Sequence, residues 1–205
     1  MNNLNKKNTY QHGFKTKFIL ASKSKSRFKI LKNNKLIFST LNPICNESLT
    51  KKNLIKIKAT IRKISLELAR IKAKSISVKK PQAIVVGADT TIDFKGEMIS
   101  KAKSMKEAKR KILSFSGKKH FIYSSVSVYQ NNKEVWKTTQ KSEIKIRELS
   151  NKDVDDYLKK TKNKILSSVG CYHIEAMGPN IIESTNGDFF NIMGFPLFPF
   201  LNFLK

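Results

Sequence analysis

At 205 residues with 40% hydrophobic content, the chain can form one domain with a real core or two small lobes. No apolar run approaches the roughly 20 residues of a membrane span, so no membrane partner is expected. The formal net charge of +26 comes from 41 basic residues, only five of them Arg, spread through every segment; base reading and bidentate phosphate recognition lean on Arg, so no dedicated nucleic-acid partner is expected either. A positive field of this size still attracts an anionic substrate such as a triphosphate. Cys45 and Cys171 lie far apart without a CxxC spacing, which gives no zinc or disulfide framework and fits a reducing compartment.

Residues 1–16 are Asn- and Lys-rich with no apolar stretch. They read as a flexible basic tail, not a signal peptide, and the expected location is cytoplasmic. Lys17–Ser22 is a buried-strand candidate that runs straight into a helix from Ser24 to about Asn33. Ser22, Ser24 and Ser26 at that junction offer hydroxyls and free backbone N–H groups, a natural anion site, although serines here also serve simply as helix caps. Leu36–Leu41 reads as a second strand ending at Pro43, followed by Glu47, one of only fifteen acids. Leu54, Ile57, Ile61, Ile64, Leu68 and Ile71 recur at three- and four-residue steps and predict one long helix. Lys72 lies at the edge of that stripe, where a Lys snorkels to water or points into a phosphate cleft.

Ala83–Gly87 is a β-branched strand that breaks at small residues, with Asp89 at the break and a second strand, Thr90–Phe94, beyond it. A carboxylate at a strand end is a candidate catalytic or metal-binding group, and equally a turn residue. Ser104–Glu107 and Ser150–Asp153 are capping boxes that open helices, the first closed by Ser116-Gly117. His120–Tyr129 and Val135–Arg147 form a hairpin turned at Asn131-Asn132. Short strands are expected at Val169–Glu175 and Asn180–Glu183, and Pro196 opens a last apolar helix to Leu204. The order predicts an α/β fold: a central mixed, twisted sheet with flanking helices, two lobes around a cleft, in a single domain over residues 17–205.

Eight motifs then line up from Lys17 to the C-terminus. Leu20-Ala21-Ser22-Lys23-Ser24-Lys25-Ser26-Arg27 is similar to LASxSPRR, with Lys25 for Pro and Ser26 for the first Arg. Asn46-Glu47 matches an Asp-Glu pair, Leu68–Ala73 matches LAREKA with Ile71 for Glu, and Gly87-Ala88-Asp89-Thr90 is GADT intact. Lys101 stands in a GKP position with Ala102 for Pro, and Ser116-Gly117 with His120 matches SGxxH. Tyr172–Gly178 is similar to YxIQGLG with Glu175 at the Gln, and Gly187–Leu197 to GxxxNxxGLPL. Together these resemble the Maf family of nucleotide pyrophosphatases, which share the fold of inosine triphosphate pyrophosphatase.

The resemblance implies hydrolysis of a nucleoside triphosphate between the α and β phosphorus, giving a monophosphate and pyrophosphate. It implies Asp89 as the proton acceptor, and a divalent metal, Mg2+ or Mn2+, held by Glu47 and Asp89. Lys72, Lys101, Arg27 and the backbone near Ser22 and Ser24 are expected to clamp the phosphates. Base choice in the family tracks the positions of Ser26, Thr90 and Glu175. Thr90 resembles the branch preferring pyrimidine triphosphates and Glu175 the branch acting on 7-methyl-GTP. The family often forms dimers, which makes a homodimer an expectation. His12, His120 and His173 show no ligand spacing and read as surface or packed residues. The substitutions at Lys25, Ser26, Ile71 and Ala102 motivate a second reading, a non-enzymatic nucleic-acid-binding or regulatory protein on the same fold. Retention of Arg27, Glu47, Lys72, Asp89 and Lys101 together weighs against it.

Overall fold

The computed structural model describes residues 14–205; the expected basic tail, up to residue 13, lies outside the described residues. Two parallel crossovers build the N-terminal half. β1 (Phe18–Ala21) leads into α1 (Lys25–Asn33), which returns the chain to β2 (Phe38–Leu41). Next, α2 (Glu47–Lys56) and α3 (Ile61–Ser77) carry it across the sheet to β3 (Ile84–Phe94). β1 is paired in parallel with β2 on one side and with β3 on the other. Everything after β3 is antiparallel: β4 (Glu97–Ile99), then α4 (Met105–Phe115), then the hairpin β5 (Lys119–Gln130) and β6 (Lys133–Ile146). After α5 (Asn151–Thr161) the chain adds β7 (Ile182–Asn186) to the edge and closes with α6 (Phe189–Met193) and α7 (Leu197–Leu204). The sheet is open and mixed, in the order β2-β1-β3-β5-β6-β7, with β4 on the far end of β3.

The length mismatch among strands makes the cleft. β1 and β2 have four residues each and β3 has eleven. The parallel layer therefore stops where Ala21 faces Gly87, and the second half of β3 runs on beside β4 and β5 alone. Buried apolar side chains divide accordingly. One cluster gathers Phe18, Leu20, Ile30, Val86, Phe195 and Phe200 around the parallel end. A separate one gathers Ile92, Ile112, Phe115, Ile146, Val154 and Tyr157 around the extended end, under α4 and α5.

Three element expectations are corrected. β3 does not break at Gly87. The residue is glycine because α3 lies against it: a Cβ there would sit 2.1 Å from the Ala69 carbonyl oxygen and 2.6 Å from the Ala73 nitrogen. The stripe from Leu54 to Ile71 is two helices, because Lys58 turns left-handed (φ 53°) and the Thr60 hydroxyl caps α3 at the Lys63 N–H. Ile57, in phase with the stripe, is two-thirds exposed. Residues 169–175 form turns instead of a strand, with Cys171 at φ 58°. The Ser150–Asp153 capping box forms with both bonds, and Asn131-Asn132 turns the hairpin with both residues at positive φ.

Candidate active site

Three chain segments end at the carboxyl edge of the parallel layer, where open α/β sheets keep ligand clefts. β1 delivers Ser22 and then Arg27 on the first turns of α1. The segment after β2 delivers Glu47 at the start of α2. β3 delivers Asp89, two residues past Gly87. Asp89 is thus inside a strand, yet just beyond the end of the strand beside it.

The centre of the cleft is an ammonium shared by two carboxylates. Lys72 Nζ lies 2.5 Å from Asp89 Oδ1 and 2.9 Å from Glu47 Oε2. The Lys72 and Asp89 side chains are only 7% and 12% exposed, whereas Glu47 is 47% exposed, so the group opens to solvent on the α2 side. Helix periodicity explains the lysine. Ser65, Ala69, Lys72 and Ala73 share the buried face of α3, and the close approach at Gly87 brings that face down onto β3. Ser65 completes the junction, its hydroxyl lying 3.2 Å from the Asp89 carbonyl and 3.0 Å from that of Tyr123.

Arg27 forms the floor. It is buried, donating from Nε to Gly194 O (2.9 Å), from one terminal nitrogen to Ser22 Oγ (3.3 Å) and from the other to Thr90 Oγ1 (3.0 Å). Burial lowers the pKa of the guanidinium, and the Asp89 and Glu47 carboxylates oppose that shift. Thr90 also bonds Ser124 Oγ at 2.9 Å and Gly194 O at 3.2 Å. Ser24 caps α1, accepting from the Arg27 N–H, while its own N–H donates to Ser22 Oγ. Cys45 is a neighbour of the cluster: burial pushes its thiol pKa up, Glu47 adds to this and Lys72 opposes it.

The remaining expected positions have other surroundings. Ser26 is half-buried on the first turn of α1. Lys101 is exposed, and beside it Ser100 accepts a hydrogen bond from Lys51 of α2 at 3.1 Å. Glu175 is exposed at the tip of a turn closed by the Ala176 and Gly178 N–H groups on the His173 carbonyl. The structure thus joins Ser22, Ser24, Arg27 and Thr90 in one set of hydrogen bonds and Glu47, Lys72 and Asp89 in a second, the two meeting at the Asp89–Thr90 peptide. Ser26, Lys101 and Glu175 stay outside those hydrogen bonds. Ser65, Ser124 and Lys51 carry no sequence expectation. Ser65 has a signal, being two turns before Lys72 on one face; Lys51, one surface Lys among many, has none.

Two carboxylates already converging on one cation suit a divalent metal, because hard oxygens are the donors that Mg2+ and Mn2+ take. Among the described residues no three His, Cys, Asp or Glu side chains gather, so the protein offers this pair. No helix among the described residues is long and apolar enough to cross a membrane.

The family model described as Maf-like protein matches residues 17–205. A nucleoside triphosphate pyrophosphatase of Caulobacter vibrioides is 36% identical over 190 residues, covering 93% of this chain and 95% of that protein. A 7-methyl-GTP pyrophosphatase of Bartonella henselae is 37% identical, covering 89% and 91%. A nucleoside triphosphate pyrophosphatase of Pelagibacter ubique is 36% identical, covering 91% and 96%.

Proposed function

The chain belongs to the Maf-like protein family, and on that premise we propose that it hydrolyses a nucleoside triphosphate to the monophosphate and pyrophosphate. The observation that carries this reading is the Glu47–Lys72–Asp89 group at the carboxyl edge of the parallel strands. Such a group has the two parts the chemistry needs: positive charge for the polyphosphate, and a carboxylate to take the proton of an attacking water. Asp89 is the proton acceptor. Its place inside a long strand fixes it, and the Ser65 hydroxyl on its own carbonyl adds a second restraint. Lys72 moves from the carboxylates toward phosphate oxygens when substrate enters, joined by Lys101 from the rim. Arg27 holds Thr90 and the Gly194 carbonyl in register beneath them. Glu47 and Asp89 would hold a divalent metal, which would supply charge neutralisation at the phosphates.

The nucleobase falls to Ser26, Thr90 and Glu175. A carboxylate at 175 accepts hydrogen bonds only, which matches the adjacent donors of a guanine edge. A relative named for 7-methyl-GTP supports testing methylated guanine alongside the pyrimidines. The test is a panel of canonical and modified triphosphates with Mg2+ or Mn2+, assayed for released pyrophosphate. Turnover of at least one is expected, and none by folded protein sinks the reading. Asp89→Asn should lower the rate at least about a hundredfold with the melting temperature unchanged or higher; a near-normal rate removes Asp89 from the role of base.

A further inference from the structure

One buried polar group has no part in this chemistry. His120, at the start of β5, is 1% exposed, and its ring stacks on Phe115 with centroids 4.6 Å apart. Its Nδ1 has no partner among the described residues, and its Nε2 shares a 2.6 Å hydrogen bond with the Tyr172 hydroxyl. For stability alone an apolar side chain would serve better in this pocket, since an unpaired buried nitrogen is a penalty. The bond to Tyr172 is what the imidazole provides.

Tyr172 anchors the loop that ends in Glu175. Its ring is folded under the loop, 4% exposed, and Gly170 leaves the space: a Cβ there would lie 2.5 Å from that ring. Three residues later stands Glu175, on a turn tied at both the Ala176 and Gly178 N–H groups to His173 O. Where Tyr172 sits therefore fixes where Glu175 sits. The same strand also holds Thr90, a second of the three base-reading candidates. Thr90 faces Ser124 across the β3–β5 ladder and bonds its hydroxyl, and Ser124 is four residues from His120, on the same face of β5. Both candidate positions hang from one rigid strand, Thr90 through Ser124 and Glu175 through His120 and Tyr172.

We propose that His120 is a positioning residue for nucleobase selection, holding the Glu175 turn in register with Thr90 through Tyr172. This rests on the pyrophosphatase reading above. The cut that disturbs least is Tyr172→Phe, which removes one hydroxyl; His120→Phe removes the other partner while keeping the stack on Phe115. His120→Gln can restore a polar partner for the phenol. For each variant kcat and KM are measured on GTP, 7-methyl-GTP, UTP and dTTP, together with inhibition by pyrophosphate, which has no base and reads the phosphate side alone.

In Y172F and H120F the KM for the preferred nucleotide should rise about tenfold and the spread of kcat/KM between best and worst base should shrink about as much. Under the proposal kcat stays within about twofold, pyrophosphate inhibition is unchanged, and H120Q moves back toward wild type. An unchanged spread in folded Y172F overturns the proposal. So does an equal loss on every base accompanied by weaker pyrophosphate inhibition, the mark of a general structural defect. If the wild type releases pyrophosphate from none of the four and from no other triphosphate, the pyrophosphatase reading fails and takes this one with it.

Discussion

One ammonium between two carboxylates, nine-tenths buried at Asp89 but half-open at Glu47, is an arrangement that leaves Lys72 free to change partners. A fully buried pair would resist that, since separating it exposes uncompensated charge inside the protein. Here solvent, metal or phosphate can replace each contact from the Glu47 side. His120 is the opposite case, a titratable group with no exit. Burial holds its pKa at about 4, against an ordinary 6.5. As pH falls below 6.5 the unfolded chain takes up this proton and the native one does not, so stability is lost progressively down to about pH 4, by about 3 kcal/mol in all. Above 6.5 the residue contributes no pH dependence. Urea unfolding of wild type and His120→Gln at about pH 7.5 and about pH 4.5 should show the wild type losing 2–3 kcal/mol more over that interval, roughly speaking. Parallel losses would mean that the imidazole is protonated within the fold.

At the scale of elements, the pairing of α3 with β3 makes the site, and Gly87 makes that pairing. A methyl at Gly87 meets two backbone atoms of α3, where no rotamer can yield. Gly87→Ala should therefore destabilise the protein by about 3 kcal/mol and also cut turnover by moving Lys72 off Asp89, whereas Gly96→Ala, on an open turn, should leave turnover alone. Melting curves and pyrophosphate release on both variants check this, and G87A with wild-type turnover would detach the site from the helix–strand contact. Much of this element order was legible in the sequence wherever local chemistry decides. Ser150 with Asp153, Asn131-Asn132 and the alternation of β5 all act over a few residues and read correctly. The failures have tertiary causes. Ile57 completes an apolar stripe but points to solvent, and Val169–Glu175 has strand-like residues yet is bent under by Tyr172 and Cys171. Gly87 looked like a strand break because the helix lying against it is ten residues and more away in the chain. Arg27, Glu47, Lys72 and Asp89 were legible as a group only through the family's motifs, since no spacing along the chain reveals that four distant residues meet. His120 was legible as a motif member, and its orphaned nitrogen and its tie to Tyr172 were not.

For the molecule as a whole, the excess of positive charge is hardly neutralised from within. Acids are few, and many of them, including Glu67, Glu134, Glu143, Asp155 and Glu183, already sit in ion pairs with Lys or Arg, while among the described residues most Lys and Arg side chains face water. Such a surface carries a net positive potential, whereas within the site Lys72 and Arg27 are offset by Asp89 and Glu47, so long-range attraction comes from the surface lysines. A triphosphate approaching it is drawn in over a Debye length, about 30 Å at 0.01 M salt but under about 10 Å above 0.1 M. Capture and chemistry should then respond differently to salt. Between about 0.01 M and about 0.3 M salt, kcat/KM for the preferred triphosphate should fall at least about tenfold while kcat moves less than about twofold, because bound substrate is already past the screened region. Steady-state kinetics across that range, at constant free Mg2+, separates the two parameters. A kcat that falls with kcat/KM would place the salt effect inside the cleft, on the Lys72 contacts themselves, and a flat kcat/KM would mean that the surface lysines do nothing for substrate capture.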